Sequence, residues 1–600
     1  MAKLRHVLWF VVVTVLWGCY DYECLDIGTL RDITQRFDAE GKAWLTLSIS
    51  LSQPSELTRA TSDAFSDGDE DEHIIKTLTL IFFHGAETDA EDELTVANIL
   101  SIDYKSVKQA DSQVTSHSGT TIQISRDNLV AGDRLCLLAI ANMTPDVSIG
   151  QTFASVKNQK LNSLTTTIDD NDYFIMTNSP IATSSEGNSK VFTLVEVSPD
   201  DLFPTAEEAQ LHPVCYVFLE RAAARLTVAQ TVSPMVIQGN TNISFTEDDM
   251  RFGLYKYNQK CYLVRHFDSQ WLSYNAGGRG YRFMEQAALP TGKYRTYWAQ
   301  DANYDGTGDK LSTIKGWKEM GENYYLAENT FDTGHMTDEN TTSAVIYLRL
   351  NGGNAFYTAS TTGCDVIYQL PENDFIEDGT SANSTFARQQ SSSSSPSVHL
   401  QSTSKSPKVS TATSIDDYLR EWLMQTNKSF RQWVNDYAGG EPRHVNIAVE
   451  TAGDGLITAR VTAVTQTART SGQGIDDFVN LNLVDYLNSN ISLSYYHEGR
   501  CFYHIPIRHF NDELTPWQSP TTATNNSAGQ AYGDNANDYL GRYGVVRNNW
   551  YVVNITGVSH VGSPVAPDAA STANADDHVE QLLNATLTIT GWNSQSKELR

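Results

Sequence analysis

Six hundred residues exceed one compact core, so the chain is expected to hold at least two domains. Aromatic residues make up 10 % of it and charged residues only 19 %, a globular composition and not that of a disordered chain. Forty-three Lys and Arg against 72 Asp and Glu leave a net charge of −29, which repels phosphate backbones and argues against a nucleic-acid binder. A mean hydropathy of −0.36 argues against a multi-span membrane protein.

Met1–Gly18 has the form of a secretory signal, with Lys3 and Arg5 ahead of the apolar run Val7–Trp17. That run is too short to span a bilayer as a helix. Leu16-Trp17-Gly18-Cys19 has the form of a bacterial lipobox, so Cys19 is the expected lipid-bearing residue; an ordinary signal cut nearby is the alternative.

Trp44–Leu51 then alternates apolar and hydroxyl residues, which puts Leu45, Leu47, Ile49 and Leu51 on one face of a strand. Gln53–Asp71 breaks the alternation with Pro54, Gly68 and an acidic run from Asp67 to Glu72. This stretch is expected to be an exposed, cleavable linker. Arg59 is the only basic residue between Lys42 and Lys76, so a trypsin-like protease is expected to cut between Arg59 and Ala60. Residues 19–59 would then leave as a propeptide carrying the strand.

Strand patterns follow at Thr77–His84, at Arg134–Asn142, which reads as buried on both faces, and at Val191–Val197. Phe203–His212 is polar and flanked by Pro, which suits a junction between a domain at 60–212 and another at 213–600. The second begins with a β-rich run, Cys215–Gln230. Further strands are expected at Cys261–His266, Arg295–Ala299, Thr342–Leu350, Tyr495–His497, Cys501–Ile507, Asn549–Val558 and Leu583–Ile589. The rhythm is that of antiparallel sheets. Within it, Gly379–Thr413 reads as a flexible, Ser-rich surface insertion. Residues 414–438 read as one helix, capped by Ser414 and stopped by Gly439-Gly440. Its apolar stripe is expected to dock on the sheet.

No HExxH, GxSxG, Walker or GxGxxG pattern occurs, and no cysteines stand at zinc spacing. Cys24, Cys136, Cys215, Cys261, Cys364 and Cys501 read mostly as small buried hydrophobes. The stretch Asp301–Asp309 has oxygen ligands at alternate positions, as a calcium loop does, but Ser312 stands where a bidentate Glu is needed. A polar turn whose Asp and Asn bond backbone is the reading preferred. No enzyme activity, cofactor or metal site is assigned.

Taken in order, several segments resemble the fimbrillins, or type V pilins, and most closely the shaft subunits of the minor-fimbrium type. They are Cys19, the strand Leu45–Leu51, the Arg59-Ala60 step, Glu220–Leu226, Tyr294–Ala299, Glu328-Asn329-Thr330, Tyr543–Tyr551 and Trp592. The resemblance implies an all-β chain with minor helices, built as two transthyretin-like β-sandwich domains in tandem. It implies export through the periplasm to the cell outer membrane as a palmitate-bearing lipoprotein. An Arg-specific protease would then remove the first strand, and subunits would join by strand exchange with other fimbrial subunits, anchor and tip proteins among them, for adhesion, biofilm formation and virulence. The donor region would be Leu583, Leu587 and Ile589, or the tail with Trp592 and Leu599. Leu583–Ile589 is alternatively a permanent strand of its own domain. A tip adhesin of the same fimbrium, a membrane anchor subunit and a glycan-binding surface lipoprotein are the competing functions.

Overall fold

The computed structural model describes residues 32–51, 70–104, 116–212, 215–230, 236–237, 240–244, 249–274, 282–284, 291–304, 310–311, 314–353, 355–361, 364–369, 399–400, 415–451, 458–470, 472–510, 514–515, 536–558, 561–567 and 583–591. Over these residues the protein is all-β with minor helices.

The first sheet holds β1 (Lys42–Leu51), β2 (Thr77–Ala86), β3 (Thr95–Asp103), β4 (Ser116–Ser125), β5 (Asp133–Ala141), β6 (Met176–Asn178), β7 (Val195–Val197) and β8 (Cys215–Arg221). Their order is β3-β2-β5-β6-β8-β1-β4, with β7 beside β5. Strand β5 is buried on both faces, as its unbroken apolar run requires. Leu135, Leu137 and Ala139 enter one apolar cluster; Cys136, Leu138 and Ile140 enter a second on the opposite side.

The run Cys215–Gln230 is not one strand. After β8 the chain turns through buried Ala222 and Ala223 and starts β9 (Ala224–Gln230), which belongs to another sheet. The passage between the sheets therefore lies at Ala222-Ala223. The polar segment Phe203–His212 stays with the first sheet: Phe203 and Trp44 exchange both backbone hydrogen bonds, at 2.7 and 2.9 Å. The short helix α1 (Ala206–Leu211) follows.

The remaining strands are β10 (Arg251–Tyr255), β11 (Lys315–Glu319), β12 (Asn323–Leu326), β13 (Ser343–Arg349), β14 (Phe356–Thr361), β15 (Cys364–Gln369), β16 (Val445–Thr451), β17 (Thr458–Gln466), β18 (Ile491–Tyr496), β19 (Arg500–Pro506), β20 (Asn549–Val558) and β21 (Leu583–Gly591). One sheet is built on β20, which lies between β9 and β21 and is joined by β12 and two short strands, Val236–Ile237 and Asn240–Ser244. A second, β11-β10-β13-β19, faces it. Leu226, Val228, Tyr551, Val553 and Ile555 from the first meet Phe252, Leu254, Ile346, Leu348 and Tyr503 from the second in one core.

Strands β13 and β19 pair from Ser343↔Pro506 to Arg349↔Arg500, and Leu350 N–H closes on Gly499 C=O at 2.7 Å. Everything between hangs from this hairpin. A Cβ at Gly499 would lie 2.1 Å from Leu350 O, so only glycine fits the junction. The suspended residues form a sheet of β15, β14, β18, β17 and β16, with the backbone of His399–Leu400 added beside β15. Four helices, α2 (Ile415–Thr426), α3 (Lys428–Tyr437), α4 (Gly472–Val479) and α5 (Leu483–Asn490), cover it around a separate apolar cluster.

The expected single helix is thus two. Asn427 breaks it, and its side chain caps α3 by accepting from Phe430 N–H at 2.9 Å. The stripe Ile415, Tyr418, Leu419, Trp422, Phe430, Trp433 and Val434 is buried on the sheet as expected. Ser414 lies outside the described residues, as do all of 379–413 except His399–Leu400.

Candidate functional site

Strand β1 runs parallel to β8, from Leu47↔Cys215 to Leu51↔Leu219, and antiparallel to β4, from Lys42↔Ser125 to Ser50↔Ser116. It is an interior strand. Leu45, Leu47 and Ile49 have no exposed surface and pack with Leu78, Leu80, Phe82, Ile122 and Val217. Burying three such side chains contributes on the order of 5–9 kcal/mol, at ~1.5–3 each. On the other face Thr46 is buried, with its hydroxyl 2.9 Å from that of Thr121. Among the described residues β4 meets the sheet through β1 alone. The side chain of Leu51 is not described, and Cys19, Arg59 and Ala60 lie outside the described residues.

After residue 69 the described chain resumes at the helical turn Glu70–His73. Glu72, counted above among an exposed acidic run, is instead 3 % exposed. Its carboxylate accepts from Arg225 Nη1 at 2.7 Å and from the Tyr325 hydroxyl, while its carbonyl accepts from Arg221 Nε at 2.7 Å. The Arg225 guanidinium lies 4.0 Å from the Trp550 ring centroid, a cation–π contact out of water. Glu72 thus ties the chain that follows residue 69 to β8, β9 and β12, and through Arg225 to β20.

Two more buried ion pairs join the same seam. Arg265 Nε donates to Glu220 Oε1 at 2.8 Å. Arg547 grips Glu328 with two bonds, at 2.6 and 3.0 Å, and both side chains are fully buried. Burial alone would lower the Arg547 pKa, but the Glu328 carboxylate outweighs it and raises the value above the ordinary one. Arg547 also donates to the carbonyls of Tyr262 and Leu263. That segment crosses to the earlier part of the chain, where Cys261–Tyr262 pairs with Lys160–Leu161. Three buried arginine–carboxylate pairs, that of Arg547 bidentate, and a crossing strand join the two sides of the seam.

Among the candidate donor residues, Leu583, Leu587 and Ile589 lie on β21, which pairs along β20 from Val558↔Leu583 to Asn549↔Gly591. Trp592 and Leu599 lie outside the described residues. Asp301 is buried in a polar turn: its carboxylate accepts from Asn258 Nδ2, Thr330 N–H and Asn303 N–H, at 2.6 to 2.7 Å. Cys136, Cys215, Cys261 and Cys501 are free and buried, and burial pushes the Cys136, Cys261 and Cys501 thiols up to about 12.

Sequence reasoning missed the ion pairs, since a lone Glu or Arg reads as surface. The only signal was their clustering, Glu220-Arg221 with Arg225 among alanines and leucines.

Two family models match this chain. One, for the major fimbrial subunit protein FimA, covers residues 45–221, from β1 to the end of β8. The other, the C-terminal part of the type IV major fimbrial subunit fimbrillin, covers 494–598. No curated protein sequence matches. Among solved structures, a fimbrilin (FimA) from Porphyromonas gingivalis W83 is 13 % identical, with 92 % of this chain and 99 % of that one covered and a TM-score of 0.33. A candidate cell adhesion protein from Parabacteroides distasonis is 11 % identical, over 93 % and 99 %, with a TM-score of 0.33. The tip fimbrial protein Mfa3 from Porphyromonas gingivalis is 11 % identical, over 56 % and 84 %, with a TM-score of 0.23. The two family matches, one ending where the first sheet ends and the other running from the end of β18 through β21, make the two ends of the chain similar to fimbrial subunit proteins of the fimbrillin type.

Proposed function

We propose that this chain is a shaft subunit of a cell-surface fimbrium whose assembly is controlled by the loss of β1. The observation that carries the reading is the place of β1: an interior strand with a fully apolar inner face, joined to its own domain only through 52–69. Lipid on Cys19 holds the exported precursor at the outer membrane. Cleavage after Arg59 then cuts β1 free of its domain. Its departure leaves an apolar groove and two unpaired strand edges, which water does not tolerate and which strand addition from another copy repairs. Such a contact does not close on itself, so it grows into a fibre. We place the domain boundary at Ala222-Ala223 and treat the residues hung between β13 and β19 as a third unit.

The test is electron microscopy of full-length protein before and after Arg-specific proteolysis, beside Arg59→Ala. Expected are a new N-terminus at Ala60, filaments from the cleaved wild type and none from the variant. Wild type and Cys19→Ala should differ in labelling by a palmitate analogue. The pairing of β21 along its own β20 favours a second reading, a tip adhesin that accepts a strand and donates none. Cleaved protein that stays monomeric would replace the shaft reading with that one.

A further inference from the structure

Alternation along β10, β13 and β19 sends Phe252, Leu254, Ile346, Leu348, Cys501 and Tyr503 into the core. The neighbouring positions lie on the opposite face, where Val345 and Tyr255 are buried and three partly exposed aromatic residues meet. Trp317 on β11, Tyr347 on β13 and Phe502 on β19 form a triangle with ring centroids 5.4, 5.7 and 6.1 Å apart. Trp317 is 43 % exposed. Strand β10 passes between Trp317 and Tyr347, and the rings meet across it because residue 253 is Gly. A Cβ there would lie 2.3 Å from Ile314 Cγ2 and 3.4 Å from Trp317 Cε3.

The rim of the triangle is polar and charge-paired. Arg251 lies 3.4 Å from Glu319, and Arg349 lies 3.5 Å from both Asp249 and Glu498. We propose that this aromatic triangle is a binding site for an uncharged saccharide. One face of a pyranose ring is a patch of C–H groups that lies flat on an aromatic ring, while its hydroxyls reach outward to paired carboxylate and guanidinium groups. A rim whose charges are already paired offers hydrogen bonds without selecting a charged ligand. A protein partner fits less well, since three partly exposed rings fall short of the roughly 800 Å² per side that a stable protein interface buries. The proposal does not depend on the shaft reading.

The experiment is a fluorescence and saturation-transfer titration of the full chain with a neutral tetrasaccharide of glucose and galactose units. The same sugar carrying sialic acid is run alongside. Expected is saturable binding of the neutral sugar, seen in the wild type by quenching of Trp emission and in every variant by saturation transfer, weakened about tenfold in Trp317→Ala and in Tyr347→Ala and largely kept in Trp317→Phe. Trp317 is on the surface, so thermal melting of each variant separates binding loss from misfolding. Equal binding by a folded Trp317→Ala, tighter binding of the sialylated sugar, or no binding by either up to about 10 mM would each overturn the assignment.

Discussion

Two of the sheets are each organised on a parallel pair of strands far apart in sequence, and the two pairs differ in how their members are held. In the first sheet β1 lies against β8, joining Leu47 to Cys215. In the second β9 lies against β20, joining Arg225 to Trp550. Each pair is flanked by an antiparallel strand, β4 beside β1 and β21 beside β20. Strand β20, however, follows directly from Arg547, whose buried pairing with Glu328 fixes it to the seam. Strand β1 is separated from β2 by the linker, and the seam contact Glu72 stands on the far side of that linker. The cut in 52–69 proposed above would sever β1 from the chain that follows it without touching the seam contacts. The same architecture gives one sheet whose central strand continues from a buried seam contact and one whose central strand stands apart from it.

The largest expected effect tests that difference directly. A chain beginning at Ala60, made without β1, should lose on the order of 5–9 kcal/mol from the first domain. It should bind a hydrophobic dye and melt at lower temperature. A synthetic peptide spanning Lys42–Leu51 should restore the melting temperature in trans, and a scrambled peptide should not. If the shortened chain is as stable as the full one, β1 is not what fills the groove.

The seam comes next. Glu72→Ala removes the carboxylate partner of buried Arg225 and should cost about 3–5 kcal/mol, read by urea denaturation. A Glu72→Met/Arg225→Met double variant should be more stable than Glu72→Ala, because it leaves no buried charge behind. If Glu72→Ala changes stability by less than about 1 kcal/mol, the seam does not hold the start of the post-linker chain, and the contrast between the two sheets weakens.

How much of this was legible in the sequence depended on the range of the interaction. The inner face of β1 was legible because a period of two is written in adjacent residues, and the stripe of α2 and α3 because a period of 3.6 is. The break at Asn427 was not, since nothing in one apolar stripe marks where the backbone bonds are interrupted. The neighbours of β1 were also hidden. Leu47 and Cys215 are brought together by the topology of the whole domain, and the crossing at Ala222-Ala223 falls inside one continuous β-rich run. Glu72 sat in an acidic run that composition assigns to solvent. The unit hung from β13 and β19 was the largest omission. Its strands lie on either side of a Ser-rich stretch, and its closure joins Leu350 to Gly499 across the whole insertion.

That hung unit supplies the smallest expected effect, and it sharpens the comparison by asking whether both sheets stand without it. Its apolar cluster is separate from the core of the second domain, which it reaches at its root through Phe356 and Tyr496. Their rings stack with centroids 4.4 Å apart, and Tyr496 OH donates to Gly562 O at 2.7 Å. The root is already an antiparallel ladder, with Phe356 opposite Tyr496 and Tyr357 opposite Tyr495. Replacing 358–494 by Asn-Gly would close that ladder as a tight hairpin and keep the stacked pair. Shortening a long connection removes little closure entropy, so the rest of the chain should change in stability by less than about 1 kcal/mol. Calorimetry should show the loss of one unfolding transition with the others in place. If the remaining transitions also collapse, the hung residues are part of the core of the second domain. Its permanence would then rest on them and not on the seam.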